Sequence, residues 1–132
     1  MKNVKQLLGV LLIAFAFLAF KNAFQKGWVA PAEYENMKNP TDPKVDLDIG
    51  KSLYNKHCKS CHGKEGYGDG PKADEVEGDL GDFSTAQFQA QSDGALFYIT
   101  SIGYKDMPEY TKKMPDDEDR WLIVNYMRSL EE

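Results

Sequence analysis

An all-α fold of three to four helices is predicted by two observations on the sequence. Three segments carry apolar residues at helical spacing between recognisable start and stop signals. No segment alternates apolar and polar side chains as a half-buried strand would. A third observation bounds the size. The folded part begins near Asp46, and a domain of 87 residues, 46–132, has a limited apolar core of its own.

The chain opens with a segment outside that fold. Lys2 and Lys5 give a basic start, and Leu7 to Phe20 is an unbroken run of 14 apolar or glycine residues. The run matches a signal-peptide core and is short for a membrane span. Residues 1–30 are therefore read as a signal peptide or N-terminal membrane anchor, with cleavage and retention both open. Residues 31–45 are expected to be a linker, because Pro31, Pro40 and Pro43 interrupt helices and Asn36, Asn39, Thr41 and Asp42 favour turns.

The first helix is expected from Asp46 or Asp48 to Cys58, with Asp48 as N-cap and Ile49, Leu53 and Tyr54 on one face. Residues 63–91 contain Gly63, Gly66, Gly68, Gly70, Gly78 and Gly81 among many acids and read as loop with at most one helical turn. The second helix is expected from Ser92 or Asp93 to about Ser101, with Leu96, Phe97, Tyr98 and Ile99 as its apolar content and Gly103 just past its end. The third runs from Pro115 or Asp116 to Leu130. Pro115 suits a first helical position, and Asp116, Asp117, Glu118 and Asp119 complement the dipole there. Trp121, Leu122, Ile123, Val124, Tyr126, Met127 and Leu130 give this helix a wide apolar stripe.

The chemistry is concentrated in Cys58-Lys59-Ser60-Cys61-His62, which uses both cysteines of the chain. Two thiols three residues apart with histidine directly after the second form the c-type haem attachment pattern. Each thiol can add to one vinyl group, and the short spacer brings both to the same porphyrin edge. His62 then lies under the iron as its proximal ligand. A structural zinc site fits poorly. It needs four ligands around a tetrahedron, and the only Cys and His residues, His57, Cys58, Cys61 and His62, fall within six consecutive positions. A thioredoxin-like pair would need a βαβ setting, and a plain disulfide leaves His62 without a role.

Charge narrows the partners. Residues 33–132 hold 12 Lys and Arg against 21 Asp and Glu, the reverse of the basic surface that nucleic acid requires. Lys56, Lys59 and Lys64 nevertheless surround the cysteine motif, and Lys105, Lys112 and Lys113 lie near Met107. Acids are mixed among them, so a steering face and an ordinary solvated surface are both open.

With these elements in place, residues 46–130 resemble the class I monohaem cytochrome c family. Gly50, Tyr54 and Cys58 are spaced four and four as in that family's first helix, where the glycine lets the last helix cross closely and the aromatic packs on it. Ile123 and Tyr126 look like the partners on the last helix. The stretches Gly66–Pro71 and Gly103–Pro108 look like the haem-flanking loop and the ligand loop. The resemblance implies a cytochrome c fold around one covalently attached haem c. The second axial ligand is then a methionine, a soft thioether that favours reduced iron. Met107 is the candidate, 45 residues after His62 and followed by Pro108. Met114 is the alternative, and Met127 is read as core. His57 is tethered near the thioether edge and reads as a surface or haem-edge residue. The resemblance also makes the carbonyl of Pro71 the acceptor for the second ring nitrogen of His62. Trp121 and Tyr110 are either propionate partners or core residues.

The resemblance further implies a single-electron carrier rather than an enzyme. It would work outside the cytoplasm, in the periplasm or at the outer membrane face, with redox proteins as partners and membrane association through the N-terminal segment. The competing readings are an electron-transfer subunit fixed in a membrane respiratory or dehydrogenase complex, and a haem peroxidase or gas sensor with a displaceable methionine.

Overall fold

A computed structural model describes residues 28–132. The expected signal or anchor segment, apart from its last residues, lies outside the described residues. Among the described residues six α-helices follow one another: α1 (Ala32–Glu35), α2 (Leu47–His57), α3 (Lys59–His62), α4 (Ala86–Gln89), α5 (Asp93–Ile102) and α6 (Asp117–Arg128), with a 3-10 turn at Ala73–Glu75. Among the described residues there is no strand, only an isolated bridge between Tyr104 and Met107. The fold is the expected all-α one. No helix among the described residues is long and apolar enough to cross a membrane.

Helices α2 and α6 form the most extensive pair, α5 packs on α6, and α1 on α5. The α2–α6 crossing depends on Gly50. A Cβ there would lie 2.2 Å from the backbone oxygen of Leu122 and 3.4 Å from the Cβ of Tyr126, so only glycine lets the backbones meet. Tyr54, Leu96, Met114, Ile123 and Val124 are the largest fully buried side chains. Burial of such side chains is worth about 1.5–3 kcal/mol each.

The helix ends follow local chemistry. Ser92 caps α5 by accepting from the Ala95 amide, and Gly103 ends it with φ 73°. Asp116 caps α6 by accepting from Glu118 N. That moves the first helical residue to Asp117 and leaves Pro115 outside the helix. Helix α2 begins at Leu47 with Asp46 as N-cap, so Asp48 is inside its first turn rather than its cap. Two short helical pieces, not one, occupy residues 63–91.

Residues 31–45, expected as a linker, are mostly exposed but touch the domain at Tyr34, Glu35, Asn39 and Thr41. Pro31 precedes α1 instead of breaking it. The Tyr34 ring lies 4.6 Å from that of Tyr98 of α5, tilted at 51°, and the α1 backbone approaches so closely that a Cβ on Gly94 would clash with the Tyr34 carbonyl. Asn39 donates to the Trp121 carbonyl at 3.1 Å and to Asn125 at 2.7 Å. Proline and turn residues report on helix interruption, not on whether a segment docks.

Candidate functional site: a cavity walled by the cysteine motif

The residues that follow α2 turn the cysteine motif into a binding face. Cys58 interrupts the helix with φ −115°, and α3 resumes at once. Its carbonyl accepts from the amides of Cys61 (3.1 Å) and His62 (3.0 Å). In such a turn, positions i, i+3 and i+4 share one side, which groups Cys58, Cys61 and His62.

All three line a cavity of about 1290 Å³, and Met107 lines it too. Phe83, Leu96, Ile99, Ile123 and Met127 supply apolar wall, and Lys105, His57 and several acids reach its rim or lining. Met114 does not line the cavity; it is buried at 1% exposure, and its carbonyl accepts from the Arg120 guanidinium. Among the described residues no three His, Cys, Asp or Glu side chains converge to hold a metal ion.

His62 is held from two directions. Its Nδ1 is 3.1 Å from the carbonyl of Leu80, and the Phe83 ring lies 4.7 Å away at 33°. Phe83 in turn stacks on Phe88 at 4.3 Å. The acceptor expected at Pro71 is therefore Leu80. The backbone beside Pro71 is pinned to α3 instead, through Gly70 N to Cys61 O and Lys72 N to Ser60 O, while the glycine loop carries Leu80 to the ring. Burial lowers the His62 pKa, and the Leu80 hydrogen bond partly offsets it. Burial, with the neighbouring Cys61 thiol second, pushes the Cys58 thiol up to about 12.

Met107 is presented by a two-residue turn. Tyr104 N donates to Met107 O at 3.0 Å and Met107 N to Tyr104 O at 2.9 Å, with Lys105 left-handed at φ 52°. Gly103 makes the turn compatible with α5. It has positive φ, and a Cβ there would meet the Met107 carbonyl at 2.3 Å. Beyond the turn, Tyr110 anchors the loop by donating to the His57 carbonyl at 2.7 Å and by Tyr110 N to Ser101 O at 3.0 Å.

Of the two expected propionate partners, Tyr110 lines the cavity but its hydroxyl is spent on His57. Trp121 stacks on Phe97 at 4.0 Å, away from the cavity lining; its ring completes the α5–α6 core. Leu80 and Phe83 were not singled out by the sequence. The glycines around them signalled a loop, but periodicity says nothing of where a loop returns.

The family described as cytochrome c oxidase, cbb3-type, subunit III, matches residues 45–127. A chain in the solved structure of a reducing HAO-like protein complex from Kuenenia stuttgartiensis is 30% identical, with a TM-score of 0.61. The likeness covers 86% of the present chain and 54% of that one, so the present chain spans about half its length. No curated protein matches.

Proposed function

Because the chain belongs to the c-type cytochrome family described as cytochrome c oxidase, cbb3-type, subunit III, we propose that it is a single-electron carrier with one haem c. In this reading Cys58 and Cys61 would hold the haem covalently, and His62 and Met107 would ligate its iron. Electron transfer and a covalently bound c-type haem go with the family. The assignment to these residues rests on one observation: both thiols, the His62 imidazole and the Met107 thioether line a single cavity, with His57 tethered beside Cys58 and Met127 in the apolar wall supplied by α6. That donor set fits the group, since the thiols are the attachment chemistry and the two soft or borderline ligands suit its iron.

The haem would supply one-electron exchange between ferric and ferrous iron; the protein supplies binding, orientation and electrostatics. The Leu80 carbonyl accepts a hydrogen bond from Nδ1–H of His62, which would fix the tautomer and leave Nε2 free to ligate. Phe83 restrains the ring plane. The turn at Tyr104–Met107 and the Tyr110 anchor hold the thioether in place.

Cytochrome c domains usually work outside the cytoplasm. The reading adds that residues 1–30 act as an export signal or anchor and that residues 46–132 carry the redox domain in the periplasm or at the outer membrane face. A second reading, an electron-transfer subunit of a larger assembly, is favoured by the likeness to a chain of a multi-protein complex, of which the alignment covers 54%.

The test is the visible spectrum with site variants. The oxidised protein should show the far-red band of methionine-ligated ferric haem. Met107→Ala should lose it, lower the potential and admit carbon monoxide to reduced iron. Met114→Ala should keep the band and lose stability, by about 2–5 kcal/mol for a fully buried methionine. Exchanged phenotypes would move the ligand to Met114.

A further inference from the structure

The loop that holds His62 also reaches the turn that presents Met107. Four consecutive residues span the two contacts. At one end the Leu80 carbonyl meets His62 Nδ1 at 3.1 Å. At the other, Glu77 N donates to Asp106 Oδ2 at 2.6 Å, and Asp106 directly precedes Met107. The loops touch a second time beside this bond. A Cβ built on Gly78 would lie 3.6 Å from both Cδ and Nζ of Lys105, so the lysine stem lies along the glycine. The tip of the turn, Lys105–Asp106, thus rests on Glu77–Gly78. A backbone amide bonded to a carboxylate is a charge-assisted hydrogen bond, stronger than a neutral one. No other side-chain hydrogen bond among the described residues links the turn Tyr104–Met107 to the 76–82 loop.

We infer that Asp106 is a positioning residue, which through the Glu77 amide ties the Met107 turn to the loop that orients His62 and so sets how firmly Met107 stays on the iron. The inference rests on the His62–Met107 ligation proposed above. Asp106 touches neither ligand atom. It acts by limiting the excursions of the turn, which otherwise hangs between Gly103 and the Tyr110 anchor. Because the same loop ends at Leu80, loosening one end also relaxes the acceptor of His62.

The experiment compares wild type, Asp106→Ala, Asp106→Asn and Glu77→Pro as full-length holoproteins. Asn keeps an acceptor oxygen without the charge and should fall between wild type and Asp106→Ala. Pro removes the Glu77 N–H from the other side of the bond; Val76 before it already has the extended backbone that a following proline requires. The readouts are imidazole binding to the oxidised protein, the far-red band, the reduction potential and hydrogen exchange of the Glu77 amide. Asp106→Ala and Glu77→Pro should bind imidazole roughly three- to tenfold more tightly, the range of one net hydrogen bond, with a weakened band and a lower potential. In Asp106→Ala the Glu77 amide should also exchange faster. A wild-type protein without the band, or a Met107→Ala protein that keeps it, would overturn the ligation itself. If wild type shows the band and Met107→Ala abolishes it, yet Asp106→Ala binds imidazole as wild type does, the ligation stands and the positioning role falls.

Discussion

The rings of Tyr54 and Tyr126 stand 5.0 Å apart at 54°, one from each of the two helices that cross at Gly50. Tyr54 is fully buried, and its hydroxyl donates to the Gly63 carbonyl at 2.8 Å. The same side chain therefore joins the helix crossing to the residue that follows the cysteine motif. Packing at the crossing and placement of His62 are one problem.

Gly50→Ala should destabilise the domain, because even a methyl group falls 2.2 Å from the Leu122 carbonyl. Overpacking of this kind costs about 1–3 kcal/mol, and Gly50→Val should cost more. Denaturant unfolding measures it. An unchanged midpoint for both variants would mean that α2 and α6 do not cross there.

Covalent attachment should depend on both thiols. Cys58→Ser or Cys61→Ser alone should leave one thioether and reduce the haem retained after denaturation. The double variant should retain none on a haem-stained gel. Full retention in the double variant would refute the assignment.

Alkaline pH should unfold the protein through its buried phenols. Burial raises Tyr110 to about 12 and Tyr54 further, against an ordinary value of 10.0. The unfolded chain releases these protons first. Their contribution to stability is therefore complete below pH 10 and is lost as pH rises through the folded values, about 12 for Tyr110 and higher for Tyr54. Charge on the Cys58 and Cys61 thiols adds to the Tyr110 shift; thioether formation would remove that part and leave burial. The melting temperature should fall between about pH 10 and 12, and less steeply in Tyr110→Phe. Equal slopes would assign the loss to other groups.

Local positive charge should be visible in kinetics. Lys56, Lys59 and Lys64 are exposed beside the cysteine motif, and exposed charges are screened beyond about 10 Å at 0.1 M salt. Oxidation of the reduced protein by ferricyanide, an anion, should slow as salt rises, and Lys59→Glu should slow it at low salt. A flat profile for both proteins would leave these lysines as an ordinary solvated surface.

What the sequence made legible was local. Ser92 and Gly103 mark the ends of α5 because a hydroxyl cap and a left-handed terminus are chemical events within a few residues. Gly50, Tyr54 and Cys58 could be read together because one helix spaces them. Helix α1 was hidden: four residues are too few to form a helix alone, and it is held by Tyr98 and by the room at Gly94. Leu80 was hidden for a related reason. Its carbonyl reaches His62 only after a loop bent by positive φ at Gly66, Gly68 and Gly78, and no periodicity encodes that path.

The meeting of Gly50 with Leu122 has a consequence for how the chain could be divided. It closes a long loop, and closure cost grows slowly, by about 0.6 kcal/mol for each doubling of length. The cohesion of the domain therefore lies in the face shared by α2 and α6 rather than in the continuity of the chain between them. A single proteolytic nick at the exposed residues Asp74–Glu75 would separate the thiols and His62 from Met107 covalently while leaving that face whole. The cavity would then lie between two fragments held by that face, with three of the four donors on the first piece and Met107 alone on the second.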